Sequence, residues 1–426
     1  MSSSIPSTHH GARPKGKGRL IAIILAVVVA LCAVGAGVYY FIPEDNPEPY
    51  ASSPLGITIP NMTEAVDVGV IVSYTEDNAQ GSGWDRSAEG ANVAAWRIAQ
   101  SGGQVRLHLV SDKGTAQGAK DAIRELTSKG VVAAIAATEG THIKALTAEA
   151  ASVDLPLVFP YASPDELSGE LWSMAPDNVQ MKKVLETTLT RRGLKKPFLI
   201  QPAGHQLQLG GDSLVFGPGT AKATAEGAVA KIEEAQADVI ILAGNAKDLA
   251  TLFITLRERN IQLPIVTTTA GQNPIFMDEL VKSGVSVGDL STIGTPTPDI
   301  IAFQASRQGA GASSFVQAAG IMARESDQKS LDASQEFHLV APYADARSHD
   351  ALISIVRAAV QATQKSIPMK DALASTSMTV EDGLVGAELD FSTQSANTWE
   401  GRVAVQATAT PTRVPLAWFD PLTSQE

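Results

Sequence analysis

The chain has 426 residues, 44% of them hydrophobic and 18% charged, with a formal net charge of −12. That is enough apolar material for a large core in two lobes, and the acidic balance argues against nucleic acid or anionic lipid surfaces as partners. The single cysteine, Cys32, lies in an apolar run, which excludes a disulfide framework and thiol chemistry from the rest of the chain.

Residues 1–19 form a basic tail with Arg13, Lys15, Lys17 and Arg19. Leu20–Ile42 is uncharged throughout and, as a helix at about 1.5 Å per residue, spans roughly 34 Å. Glu44, Asp45 and Glu48 follow it. The asymmetry predicts a single-pass membrane helix over residues 20–42, with the N-terminus cytoplasmic and the bulk of the chain extracytoplasmic. Val34-Gly35-Ala36 leaves a cleaved leader as the alternative, whereas Leu31 before Cys32 is too bulky for a lipoprotein anchor. Residues 43–65 read as a proline-rich linker.

Strand and helix patterns then alternate. Val66–Val72 predicts a strand, Arg86–Gln100 a helix, Val105–Val110 a strand, and Ala116–Ser128 a helix capped by Thr115. Val131–Ala136 and Pro156–Phe159 are short buried strands flanking the helix Ile143–Val153, and Leu171–Met174 is a further strand. A second series follows: helices over Val179–Arg191, Ala223–Ala235 and Leu249–Arg259, and strands over Pro197–Ile200, Ser213–Phe216, Val239–Ala243 and Pro264–Thr268. Ser313–Glu325 and Asp350–Ala362 are later helices, Gln304–Ala312 and Ser326–Phe337 polar loops, and Ala387–Phe391 with Arg402–Ala407 an antiparallel hairpin. Alternation of this kind implies an α/β protein with two mostly parallel sheets flanked by helices.

Two adjacent strands end in small polar turns, Thr138-Glu139-Gly140-Thr141 and Tyr161-Ala162-Ser163-Pro164. Ligands of open parallel sheets sit beyond the carboxyl ends of the strands, so these hydroxyls and helix-start N–H groups predict a cup for a small anionic group such as a carboxylate. The plainer alternative makes Thr141 an N-cap and Ser163 a turn residue.

The search for other chemistry finds little. Seven histidines show no metal-ligand spacing; His142, in the first turn of the cleft-facing helix, reads either as a ligand contact or as a solvated face. Gly217-Pro218-Gly219-Thr220 lacks the Lys of a phosphate loop, Ser326-Asp327-Gln328-Lys329 has no companion motif, and there is no nucleophile elbow. The chain therefore reads as a non-enzyme without cofactor or metal.

Four blocks carry a resemblance. VGVIVSY with GWDRSAEGANVAAWRI, GVVAAIAATEGTHIKALTAEAASVDLPLVFPYASPDEL, IEEAQADVIILAGNAKDLATLFITLRERNIQLPIVTT and HDALISIVRAAVQA together resemble the extracytoplasmic solute-binding proteins of branched-chain amino-acid ABC transporters, the leucine/isoleucine/valine-binding type. The resemblance implies a type I periplasmic-binding fold: lobe one from residues 66–176 and 296–380, lobe two from 177–295 and 381–420, three crossings between them and a ligand in the cleft. It places the family's carboxylate-holding positions on Thr138, Thr141, Ala162 and Ser163, and sets Trp84 beside the cleft aromatic, as pocket wall or as buried packing.

Two departures stand against it. Gln201–Asp212 is too short to hold the family's aromatic loop and a following helix. The lobe-two stretch Val266–Gln272 has no acid where the family pairs a carboxylate with the ligand's ammonium, a costly omission for a free α-amino acid. Thr269 and Gln272 are left to hydrogen-bond a neutral or hydroxylated compound. The expected function is a membrane-anchored solute-binding protein that presents a small polar or carboxylate-bearing ligand to an ABC permease. The alternative is a protein-interaction or sensory ectodomain of the cell envelope that keeps the fold without a transport ligand.

Overall fold

A computed structural model describes residues 54–74, 80–167, 171–204, 207–295, 297–302, 304–325 and 327–397, and the backbone of the strands at 404–408 and 418–419. The expected membrane helix at 20–42 lies outside these residues. Among the described residues no helix is long and apolar enough to cross a membrane.

Two sheets organise the chain. The first holds β1 (Val66–Val72), β2 (Val105–Ser111), β3 (Ala133–Ala137), β4 (Leu157–Phe159) and β5 (Trp172–Ser173), all parallel in the order β2-β1-β3-β4-β5. Both faces are covered, as near-continuous apolar strands require. Val68, Ile135 and Val158 pack with the helices Glu89–Ala99 and Ala346–Lys365. Ile71, Ala134, Ala136 and Phe159 pack on the other side with Ala116–Ser128 and Ile143–Ser152. Thr115 caps Ala116–Ser128 by accepting the Gly118 N–H, as its sequence position predicts.

The second sheet contains β6 (Pro197–Pro202), β7 (Asp212–Phe216), β8 (Val239–Leu242), β9 (Ile265–Thr267), β10 (Leu290–Gly294), β13 (Ala404–Thr408) and β14 (Trp418–Phe419), in the order β14-β13-β10-β9-β8-β6-β7. Only β13 runs against its neighbours. β6 passes to β7 in parallel with no helix among the described residues between them, in agreement with the shortness of that segment. Leu207 from this link is buried with Leu185, Leu199 and Ile241, so one loop side chain covers part of the face a helix would take.

Three local expectations change. Ala387–Phe391 and Arg402–Ala407 do not pair with each other: β12 (Leu389–Asp390) joins β11 (Ser377–Met378), and β13 joins the second sheet. The expected loop Gln304–Ala312 is helical from Arg307, within Arg307–Met322. Its glycines serve close packing instead of turning, since a Cβ on Gly309 would lie 2.0 Å from the Gln304 carbonyl oxygen and one on Gly311 3.0 Å from that of Leu384. A helix at Pro274–Ser283 was not anticipated, although Asn273 caps it, Pro274 opens it and the left-handed Gly284 ends it.

The C-terminal part of the proline-rich segment is docked on the core beneath the first sheet. Ile57 and Ile59 are buried in the core beside Ile98 and Leu384. Arg97, 1% exposed, donates from Nε to the Leu55 carbonyl (2.9 Å) and from Nη2 to that of Pro54 (3.3 Å). Its Nη1 reaches His349 Nε2 at 3.0 Å, and His349 Nδ1 lies 2.8 Å from Asp350 Oδ1. Asp350 in turn accepts the N–H groups of Val385 and Gly386.

Candidate functional site

The first polar residues after β1, β2 and β3 are Ser73, Asp112 and Thr138, and all three are fully buried. Ser73 donates to Asp112 Oδ1 at 2.6 Å, and its oxygen lies 2.6 Å from Thr138 Oγ1. His142 Nε2 is 3.0 Å from Asp112 Oδ2 and 2.9 Å from Thr138 Oγ1. Counting protons fixes the arrangement. The Ser73 proton goes to Asp112, the Thr138 proton to Ser73, and Nε2–H of His142 is shared between Asp112 and Thr138. His142 Nδ1 is buried without a partner. Serine and aspartate both meet the same ring nitrogen and neither reaches solvent, so this is not the geometry of a nucleophilic triad. His142 is neither a solvated residue nor a free ligand contact: 3% exposed, it is part of the floor beneath the strand ends.

Above that floor the turn Thr138–Thr141 is occupied by the chain itself. Gln80 Oε1 accepts both the Thr141 N–H (3.2 Å) and the Thr141 hydroxyl (3.0 Å). Gly81, at φ +82°, allows this approach, because a Cβ there would lie 2.5 Å from Thr138 Oγ1 and 2.6 Å from the Glu139 carbonyl oxygen. At the neighbouring strand end, Ser163 caps the short turn Pro164–Glu166 and its hydroxyl donates to Asp165 Oδ2 at 3.3 Å. Asp165 Oδ2 also accepts the Asn178 N–H at 2.7 Å. The Ala162 carbonyl accepts the Ser173 hydroxyl.

Trp84 is 1% exposed and stacks on Tyr161 with ring centroids 4.1 Å apart and planes 5° from parallel. The Arg347 guanidinium lies 4.5 Å from the Tyr161 centroid and 5.3 Å from that of Trp84, while its Nε and Nη2 hold Asp345 at 3.0 Å each. Tyr161 Oη is 2.6 Å from Ser348 Oγ, and burial pushes its pKa well up. The buried Trp84 indole N–H favours the charged form of Glu139. Burial, and then the charge of Glu166, nevertheless raise the Glu139 carboxyl to about 7.

In lobe two, Thr269 opens the short turn Thr269–Gln272. Gln272 donates to the Thr295 carbonyl (2.7 Å) and accepts the Thr295 N–H (3.1 Å), which latches the turn to the end of β10. The structure thus gathers Thr138, Thr141 and Trp84 on one lobe and leaves Thr269 and Gln272 on the other. Between the lobes, Arg86 pairs with Asp278 at 2.8 Å and Asn273 Nδ2 donates to the Ser82 carbonyl at 3.3 Å. Arg86 also lies 4.2 Å over the Tyr343 ring.

Two cavities adjoin these groups. One, of ≈ 30 Å³, is bounded by Thr295, Arg347, Asp350 and Asn397; the other, of ≈ 40 Å³, by Tyr74, Asp85, Arg86, Glu89 and Asp332. Each has room for about a water or two, far short of the ~300 Å³ of a small-molecule pocket. Among the described residues no group of three or more His, Cys, Asp or Glu could hold a metal ion.

Gln80, Asp165, Tyr161 and Arg347 escaped the sequence reading. Tyr161 lies within the strand-end turn already singled out and Asp165 directly follows it, so their positions were available; nothing in the sequence marks Gln80 or Arg347.

No family model and no curated protein matches the chain. Solved structures do. A type 1 periplasmic binding protein from Bordetella pertussis Tohama I superposes with TM-score 0.60 at 16% identity, covering 83% of this chain and 100% of that one. The chain has the type I periplasmic-binding-protein fold. The branched-chain amino-acid transporter substrate-binding protein LivJ of Streptococcus pneumoniae, in complex with isoleucine, gives TM-score 0.60 at 16% identity, covering 83% of this chain and 100% of that one. A fatty acid ABC transporter substrate-binding protein from Thermomonospora curvata gives 0.59 at 14% identity, with 87% and 95% covered. Proteins named for such different solutes share the fold, so the type I periplasmic-binding fold leaves ligand choice to the side chains in the cleft.

Proposed function

We propose that this chain is a membrane-anchored, extracytoplasmic solute-binding protein that captures a small polar solute between its lobes and presents it to an ABC permease. The observation that carries this reading is the convergence of the Thr141 N–H and hydroxyl on one acceptor oxygen, that of Gln80. Two donors aimed at one point at a strand end, above a rigid buried floor, form a binding element for an acceptor-bearing ligand. Ligand entry exchanges Gln80 for the solute and parts the Arg86–Asp278 contact. The uncharged segment Leu20–Ile42 with its basic leading flank supports the anchor.

The test is a thermal-unfolding screen of the purified full chain, wild type and Gln80→Ala, against amino acids, amides, peptides, sugars and organic acids. A true ligand at about 100 times its Kd adds roughly 2.7 kcal/mol to stability, and removing Gln80 should tighten its binding. A library that stabilises neither protein would defeat the transport reading.

A second reading, an interaction or sensory ectodomain that has given up small ligands, is favoured by the Trp84–Tyr161–Arg347 cluster, which packs the cleft with the chain's own side chains. Crosslinking in membranes to an envelope protein, with the solute screen silent, is the outcome it expects.

A further inference from the structure

The hydroxyls of the expected carboxylate cup and the Thr141 N–H are engaged, and the identity of the occupants is informative. At the first strand end the occupant is neutral, the carboxamide of Gln80 on Thr141. At the second, the chain has already installed a carboxylate: Asp165 takes the Ser163 hydroxyl and the Asn178 N–H. Glu139 stands within the first turn and Glu166 beside Asp165, and the two repel each other. Of the cations near the two turns, Arg347 is held by both oxygens of Asp345, and Lys144, in the first turn of the helix Ile143–Ser152, is exposed to solvent. The N-terminus of the helix Ile143–Ser152 favours negative charge, but one exposed helix end is set against several acids.

We infer that the Thr141 site selects an uncharged carbonyl or carboxamide oxygen, as in a primary amide or a peptide bond, and rejects a free carboxylate. Gln80 is then a tethered surrogate for the head group of the ligand, chosen by the same donors. This rests on the solute-binding reading and narrows it, moving the expected ligand away from the carboxylate-bearing solutes that the strand ends predicted. Burial is the main cause of the rise of the Glu139 carboxyl to about 7, and the Glu166 charge adds to it, in keeping with an acidic surround.

Two variants of the full chain test this. Gln80→Ala empties the site, and acetamide or acetate is titrated in while the Thr141 methyl resonance is followed in threonine-methyl-labelled protein. Acetamide should shift it, with acetate at least tenfold weaker. Gln80→Glu makes the surrogate a carboxylate of the same reach. Its melting temperature should fall below wild type, with the deficit growing between pH 5 and pH 8 as the side chain ionises. Acetate binding as tightly as acetamide, or Gln80→Glu melting above wild type at pH 8, overturns the inference. If neither probe moves Thr141 while some library solute stabilises the wild type, the selectivity falls and the solute-binding reading stands. If no solute acts at all, both fall.

Discussion

His349 lies between a buried cation and a buried anion, Arg97 and Asp350, and this fixes both its tautomer and its charge. The Arg97 guanidinium can only donate, so Nε2 accepts and the proton sits on Nδ1, facing Asp350. Burial first, then the Arg97 charge, lowers the His349 pKa to about 4 against the pull of Asp350, so the ring is neutral near pH 7. The unfolded chain takes up this proton near 6.5 and the folded one only near 4, so stability is lost as pH falls between those values, by about 3 kcal/mol at most. Glu89 has the opposite sign. Burial raises it to about 7 despite hydrogen bonds from Leu331 and Asn92, so its contribution is full below about 4.5 and is lost as pH rises toward 7. Urea unfolding at several pH values separates the two. The deficit of His349→Gln relative to wild type should shrink from pH 6.5 to pH 4, and Glu89→Gln should gain on wild type from pH 4.5 to pH 7. A pH-independent difference for His349→Gln would exclude this protonation scheme.

At the scale of the element, the β6–β7 link tests how the face of a parallel sheet is covered where no helix connects two of its strands. Leu207 is 2% exposed among Leu185, Leu199 and Ile241, so Leu207→Ala should cost about 2–4 kcal/mol in chemical denaturation, a core-sized penalty for a loop residue. A loss below 0.5 kcal/mol would show that the face is covered by something other than this side chain. Most elements were legible in the sequence because apolar runs of strand length alternate with helical periodicity, and Ala116–Ser128 was placed to the residue. Elements whose residues serve close packing were misread: Gly309 and Gly311 look like loop formers until their neighbours are seen. The floor of the site had a partial signal, because Ser73 and Thr138 are each the first polar residue after a buried strand. That Ser73 meets Asp112 and His142 was invisible, since those partners stand 39 and 69 residues away and only the strand order brings them together. Gln80 on Thr141 was unreadable for the same reason, being fixed by the course of a loop and not by any local pattern.

For the whole molecule, the helices that carry the two sheets meet in a polar pair, Arg86 with Asp278. Arg86 and Asp278 are about a quarter exposed, and partly solvated pairs of this kind contribute less than about 1 kcal/mol. A double-mutant cycle on Arg86→Ala and Asp278→Ala should therefore give a coupling energy below that limit, while small-angle scattering of either variant should show a more open average shape. A coupling of several kcal/mol would mean that the pair is a structural clamp and not a releasable latch. Opening at low cost is what the proposed capture of a solute requires.

The docking of Pro54 and Leu55 on Arg97 also decides where mechanical load enters. Traction on the chain ahead of Pro54 is not delivered to the free end of β1. It meets first a guanidinium in the last turn of the helix Glu89–Ala99, which is linked through His349 and Asp350 to the backbone at Gly386, on the wall of the cavity shared with Thr295 and Asn397. A fragment trimmed to begin after Leu55 would lose that mooring and leave the Arg97 charge buried with two of its contacts gone.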